Sequence, residues 1–174
     1  MPMKSKKKKK EKIQISVLNE PLFSYKYADL FTRIIALLGG QQIIKYTVNN
    51  QIDWIELVRN GLPGKVIHIL AKNISFSEAE ISSVIHISPR SLQRWTNETK
   101  NKILDKEISA KTIALATLFS NGASVFGSIN AFTQWLRLNN PALKNKKPID
   151  FLDTSIGFDL INDELGKIEY GVFS

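Results

Sequence analysis

Apolar residues recur at intervals of three and four along most of this chain, and this spacing constrains the fold more than any other feature of the sequence. An α-helix repeats every 3.6 residues, so each stripe predicts an amphipathic helix with one buried face. The stripes are Tyr27, Leu30, Phe31, Ile34, Ile35 and Leu38; Ile108, Thr112, Leu115 and Phe119; Val125, Ile129, Phe132 and Leu136; and Phe158, Ile161, Leu165 and Ile168. The chain is therefore predicted to be all-α.

A less regular segment follows the first stripe, which Gly39-Gly40 ends. Alternating apolar residues at its start favour a strand, namely Ile43, Ile44, Tyr46 and Val48, whereas residues 53–58 indicate a short helix or a turn. Pro63 lies in a cluster of helix breakers and fits the first position of the next helix, because its missing N–H needs no partner there. That helix is expected to bury Val66, Ile67 and Leu70. Residues 13–24 fit an extended arm or a short strand.

Residues 77–97 have the pattern of two short helices joined by a tight turn. Ser77 and Glu80 have the spacing of a capping box, and Ser88 followed by Pro89 marks the start of a second helix. The apolar residues have the spacing by which a helix-turn-helix packs against a third helix; they are Ile81, Ile85, Ile87, Leu92 and Trp95.

The second of these helices presents a polar and basic face that suits DNA. Arg donates two hydrogen bonds to guanine and Gln pairs with adenine, so this face fits a major groove. The predicted DNA-binding residues are Ser88, Arg90, Ser91, Gln93 and Arg94. Two residues depart from the usual pattern, since Ser82 stands where Ala is common and His86 stands at the turn where Gly is common. A helical hairpin with a solvated basic face is the alternative.

The net charge of +8 is distributed unevenly along the 174 residues. The Lys-rich tail 1–12 has nothing apolar to bury and is predicted to be disordered, either solvated or in weak contact with nucleic acid. Residues 86–147 are basic and contain the predicted helix-turn-helix face. Residues 148–174 are acidic, which suits a different kind of partner.

Several classes of function lack the residues they need. The chain has no Cys and only two His, which excludes disulfides and disfavours a metal site. We find no phosphate-binding loop, no nucleophile elbow and no metalloprotease motif, so no catalytic residue, cofactor or small-molecule substrate is predicted. No apolar run is long enough to span a bilayer and no signal peptide is evident, so we expect a cytoplasmic protein without membrane contact.

The order of motifs resembles the Xre/MbcA/ParS antitoxins of type II toxin–antitoxin systems. The resemblance covers roughly residues 60–174, and its C-terminal part is the more specific. The motifs are Gly61-Leu62-Pro63, Ser88-Pro89-Arg90-Ser91-Leu92-Gln93-Arg94-Trp95, Val125-Phe126-Gly127, Ala131, Trp135-Leu136, Asn140-Pro141-Ala142-Leu143, Pro148, Asp153-Thr154, Gly157 and Leu165-Gly166-Lys167-Ile168-Glu169-Tyr170-Gly171.

The resemblance implies an antitoxin with two partners. An Xre-like helix-turn-helix domain would bind operator DNA and regulate the operon. A small helical domain would bind a RES-domain toxin, which degrades NAD or transfers ADP-ribose from it, and cover its active site with the C-terminal segment. The implied toxin-binding residues are Lys167, Glu169, Tyr170 and Gly171. A transcription regulator without a toxin partner is the alternative.

The predicted organisation has four parts. The tail 1–12 and a partly helical extension 13–60 precede the helix-turn-helix domain 61–106 and the toxin-binding domain 107–174. We also expect a homodimer, because helix-turn-helix proteins generally meet two half-sites through two-fold symmetry.

Overall fold

The computed structural model describes residues 30–48, 50–97 and 102–171. Within these ranges the chain forms eight α-helices and no strand longer than an isolated bridge, which confirms the all-α prediction. The helices are α1 (Leu30–Leu37), α2 (Gln51–Asn60), α3 (Lys65–Asn73), α4 (Glu78–Ile85), α5 (Pro89–Asn97), α6 (Lys106–Phe126), α7 (Ile129–Leu136) and α8 (Ser155–Glu169). Two 3-10 helices, Pro141–Leu143 and Pro148–Phe151, lie between α7 and α8.

Helix α6 is the centre of the fold. It is 21 residues long, and α1, α2, α4, α7 and α8 all pack against it. The chain then turns by 103° into α7 at Gly127, whose φ of +81° favours glycine. Phe119 and Phe132 meet edge to face across this bend, with 5.0 Å between ring centroids. Both rings are fully buried, so the residues on the two sides of the bend pack together in the hydrophobic core.

Helices α3, α4 and α5 form the helix-turn-helix, because each packs against the other two. The capping box is present: the Ser77 hydroxyl accepts from the Glu80 N–H, and a Glu80 carboxylate oxygen accepts from the Ser77 N–H. His86 ends α4 in the left-handed conformation with φ +61°, as its position at the turn predicts. The predicted apolar set is buried, from Ile81 to Trp95.

Two sequence predictions about local structure are wrong. Residues 43–48 follow turns instead of a strand, because the positive φ angles of Gly39 and Gly40 reverse the chain and Ile44 packs into the helical core. Pro63 precedes Gly64, the residue that caps α3, and pairs with Ile103 in a bridge instead of starting the helix.

One helix boundary also differs from the sequence prediction. Val125 was placed with the α7 stripe but lies in the last turn of α6. The Lys-rich tail 1–12, the arm 13–24 and Tyr27 lie outside the described residues.

No single helix in the described ranges is long and apolar enough to cross a membrane. The bent pair α6 and α7 meets that test only when its two members are taken together.

Candidate functional site

The predicted DNA-binding residues all lie on α5 or at its start. The Ser88 hydroxyl accepts from the Ser91 N–H at 3.1 Å, so it caps the helix, and it donates to the Ser91 hydroxyl at 2.9 Å. Leu92 and Trp95 are buried against the core, which fixes the opposite face of α5 toward solvent. The sequence therefore orients this helix through its apolar residues and its cap.

Arg90, Gln93 and Arg94 form the exposed face of α5. They lie within an arc of about 100° because residues three and four apart share a helix face. The Gln93 amide donates to a carboxylate oxygen of Glu78 at 3.4 Å, a contact to the N-terminal end of α4. The two serines contact each other within the cap. Arg90 and Arg94 are the charged residues of this face, and a guanidinium is a group that can donate to a phosphate or a guanine.

The turn before α5 is tied to the C-terminal part of the chain. His86 Nε2 lies 2.5 Å from the backbone oxygen of Asp153, the residue before the cap of α8. A carbonyl only accepts, so the Nε2 nitrogen of His86 donates in this contact. This contact gives the histidine a structural role at the turn.

A second tie joins α4 to the residue that follows α7. The Arg137 guanidinium donates to both carboxylate oxygens of Glu80 at 3.1 Å and to the Ser75 carbonyl at 2.7 Å, and it lies 5.9 Å from the centroid of the Phe76 ring. Burial opposes ionisation of Glu80, but hydrogen bonds from Ser77 and the charge of Arg137 outweigh it and lower the pKa. This clamp holds the helix-turn-helix against the C-terminal helices.

The space beside this clamp is an open cavity of about 460 Å³. Charged side chains of both signs line it, among them Lys147, Asp150 and Asp153. Among residues 30–48, 50–97 and 102–171, no three His, Cys, Asp or Glu side chains come together in a way that would hold a metal ion.

Helix α8 is fixed by its cap and by one glycine. The Thr154 hydroxyl accepts from the Gly157 N–H at 3.0 Å. A Cβ at Gly157 would overlap the carbonyl oxygen of Phe151, so the chain needs glycine there to fold back onto the preceding 3-10 helix. Ile161 and Leu165 then bury one face of the helix.

The predicted toxin-binding residues lie together in the last turn of α8 and just beyond it; we call Lys167, Glu169, Tyr170 and Gly171 the terminal turn. Glu169 and Tyr170 are exposed, and Tyr170 has 79% of its surface in solvent. Gly171 has φ +66°, a left-handed conformation that ends the helix. The structure therefore presents a large aromatic side chain at a helix end where nothing in the described chain covers it.

Lys167 differs from its neighbours in the terminal turn. Its ammonium lies 2.6 Å from Oε1 of Glu164, a residue that is only 6% exposed. Sequence reasoning missed this buried carboxylate, although the spacing of three residues between Glu164 and Lys167 was a usable signal. It also missed the clamp of Glu80 and Arg137, whose partners are 57 residues apart and have no local signal.

Two family models match successive parts of the chain. Residues 53–116 match the family model of the antitoxin Xre-like helix-turn-helix domain. Residues 121–171 match that of the antitoxin Xre/MbcA/ParS C-terminal toxin-binding domain. No curated protein matches the sequence significantly. One chain in the crystal structure of the M. tuberculosis MbcT–MbcA toxin–antitoxin complex is similar at 20% identity with a TM-score of 0.47, over 64% of this chain and 96% of that chain.

The two family models match in the order expected for one antitoxin, and together they cover more than half of the sequence. The first includes all of α3, α4 and α5, and the second includes α7, α8 and the terminal turn. The chain therefore belongs to the Xre/MbcA/ParS antitoxin family.

Proposed function

We propose that this antitoxin neutralises a RES-domain toxin by covering the NAD pocket of that toxin with its terminal turn. The observation that carries the proposal is the exposed Tyr170 at the end of a helix within the toxin-binding match. A pocket that holds the anionic diphosphate of NAD needs basic groups. The acidic residues 148–174 of this chain complement such a pocket, which favours fast and specific association.

The contacts of Lys167 divide the four predicted toxin-binding residues into two kinds. Glu169 and Tyr170 contact the toxin directly in this proposal, and Gly171 directs the chain beyond the helix. Lys167 acts through Glu164, because withdrawing its ammonium would leave a buried carboxylate without its partner. A loss of toxin binding on changing Lys167 therefore needs a stability measurement beside it.

We also propose that α5 binds operator DNA and that a homodimer does so. The exposed arginines of α5, together with Ser88, Ser91 and Gln93, support DNA contact. A dimer would place two copies of α5 on successive half-sites. In this proposal residues 61–106 are the DNA-binding domain and residues 107–174 the toxin-binding domain, preceded by the tail 1–12 and the extension 13–60.

Co-expression with the product of the neighbouring gene tests the toxin-binding part. A chain cut after Ile168 lacks Glu169, Tyr170 and Gly171 but keeps Leu165 in the core. We expect this variant to keep its melting temperature and its DNA affinity and to lose protection of the host cells. A cut after Asn162 is a poorer test, because it removes Leu165 and destabilises α8.

A matched control is Ile52→Ser on α2, which changes an exposed apolar residue far along the chain from the terminal turn. It should protect as well as the unaltered antitoxin does. Protection by the chain cut after Ile168 would show that the terminal turn does not neutralise the toxin. A neighbouring gene whose product is harmless and does not bind would favour the alternative, a transcription regulator without a toxin partner.

A further inference from the structure

Three helix-interior glycines lie in the toxin-binding half, and only two of them are needed by the fold. A Cβ at Gly122 in α6 would overlap the ring of Phe132, and a Cβ at Gly157 in α8 would overlap the carbonyl oxygen of Phe151. A Cβ at Gly166 would meet nothing within 4 Å. Because glycine inside a helix destabilises it by about 0.5–1 kcal/mol relative to alanine, Gly166 has a cost that no contact within the described residues explains.

Gly166 lies on the side of α8 that faces away from the core. At about 100° per residue, five positions fall within an arc of about 80° opposite the buried Ile161 and Leu165. We call these positions the α8 stripe: Ile156, Asp159, Asp163, Gly166 and Tyr170. With a rise of about 1.5 Å per residue, the stripe is about 21 Å long.

The stripe combines features that a protein partner needs. Ile156 and Tyr170 stand at its two ends, and each has 79% of its surface in solvent. A single exposed apolar residue is ordinary. Two large ones on one helix face, separated by two exposed carboxylates and a glycine that leaves the backbone accessible, form a surface on which another chain can lie closely.

We propose that the α8 stripe is the body of the toxin interface, with Ile156 as a second anchor and Gly166 as the point of closest approach. This inference rests on the proposed toxin-binding function and extends it about 20 Å back from the terminal turn. Asp159 and Asp163 would repel a nucleic acid, and Lys167, the basic residue of α8, is engaged with Glu164. The occupant is therefore a protein with a basic surface, continuous with the pocket that receives Tyr170.

Gly166→Ala tests the inference because this change should stabilise the folded antitoxin and at the same time weaken its binding to the toxin. The variant should raise the melting temperature by a few degrees, since alanine favours the helix and fits the space. It should also weaken binding of the neighbouring gene's product at least ten-fold, because the new methyl group would hold that protein off. Ile156→Ser should weaken the same binding by about 10- to 100-fold, and the control Ile52→Ser should not.

The chain cut after Ile168 distinguishes binding through the α8 stripe from covering of the pocket by the terminal turn. If the cut abolishes binding and Gly166→Ala and Ile156→Ser do not weaken it, the α8 stripe is not the interface and the terminal turn acts alone. If the two stripe variants weaken binding and the cut does not, the stripe is the interface and the proposed covering of the pocket is wrong. Absence of any binding by the unaltered antitoxin would overturn both.

Two further outcomes would contradict the inference. A melting temperature lowered by Gly166→Ala would show that the fold itself needs this glycine. A change in the antitoxin's own oligomeric state in Gly166→Ala or Ile156→Ser, measured by sedimentation, would assign the stripe to a second copy of this chain instead of the toxin.

Discussion

Helices α5 and α8 are built alike and differ in what they expose. Each begins with a hydroxyl cap, Ser88 for α5 and Thr154 for α8, and each buries one apolar face in the core. The outer face of α5 carries Arg90 and Arg94 and no large apolar residue. The outer face of α8 carries carboxylates, two large apolar side chains and a glycine. The cap and the buried face that form each helix do not determine the residues on its outer face, so the outer faces can suit different partners.

This difference separates two modes of recognition. A cationic face attracts phosphate over a distance and loses affinity as salt is added, because bound counterions are released on contact. A mixed acidic and apolar face gains most of its affinity from close packing, and its charges mainly set the approach and the orientation. In the proposed function, the affinity for operator DNA should therefore depend on salt concentration much more steeply than the affinity for the toxin.

The largest expected effect is that of Gly157→Ala, which tests whether α8 can be distorted at its start. Because the new Cβ overlaps a backbone oxygen, we expect the free energy of unfolding to fall by about 3 kcal/mol or more. Urea denaturation at neutral pH measures this loss, and Gly166→Ala in the same helix is the matched control. An unchanged midpoint would mean that the 3-10 helix before α8 moves aside at little cost.

The double change Arg90→Ala and Arg94→Ala should weaken the binding of α5 to DNA and leave binding to the toxin unchanged. We expect operator affinity to fall by about 10- to 1000-fold and the slope of log affinity against log salt to become shallower by about 2. Binding to the neighbouring gene's product should stay within a factor of two. Operator titrations at several salt concentrations give both numbers, and an unaltered salt slope would remove α5 from the DNA interface.

Arg137→Ala should weaken the clamp between the two halves. We expect a loss of about 1–2 kcal/mol in the free energy of unfolding at pH 7. The pKa of Glu80 is lowered from 4.5 in the folded chain, so its contribution is present above pH 4.5 and is lost as the pH falls through the lower folded value. Urea denaturation at pH 7 and in acid should therefore show a smaller difference between Arg137→Ala and the unaltered chain in acid.

Arg137→Lys serves as the control for that experiment, because it keeps the positive charge and loses the two-pronged contact with Glu80. Its stability should lie between those of the unaltered chain and Arg137→Ala. A constant difference between the unaltered chain and Arg137→Ala at all pH values would contradict the assignment to Glu80.

The smallest expected effect is a gain from Ser82→Ala in α4. The Ser82 hydroxyl is buried and has no hydrogen-bond partner in the described part of the chain. Alanine lacks only this hydroxyl, so it fits the same space. We expect the free energy of unfolding to rise by up to about 1 kcal/mol, with operator affinity unchanged. Thermal denaturation decides it, and a clear loss of stability would mean that the hydroxyl has a partner.

Local signals in the sequence predict most of the helices and the orientation of α5. The capping box at Ser77 and Glu80, the cap at Ser88 and the apolar stripes each act within a few residues, so a single sequence displays them. The predicted strand at residues 43–48 fails for the same reason. Alternation of apolar residues does not reveal that Gly39 and Gly40 reverse the chain and that Ile44 packs on helices.

Contacts between residues far apart in the sequence have no local signal that predicts them. The bond between His86 and Asp153 and the clamp of Glu80 and Arg137 depend on how the two halves dock, which periodicity does not encode. Sequence reasoning located the terminal turn through motif order but did not separate Lys167 from its neighbours. The burial of Glu164, which depends on the packing of α8 on the core, makes that distinction.

The position of α6 has a consequence for how the molecule denatures. The first family match ends at residue 116 and the second begins at residue 121, both inside α6, and that helix is buried on both sides of the junction, at Leu115 and at Ala123. A fragment containing only one half would expose this surface to water. The chain should therefore unfold in a single cooperative transition. Proteolytic cleavage in either half should then disrupt the outer faces of both α5 and α8.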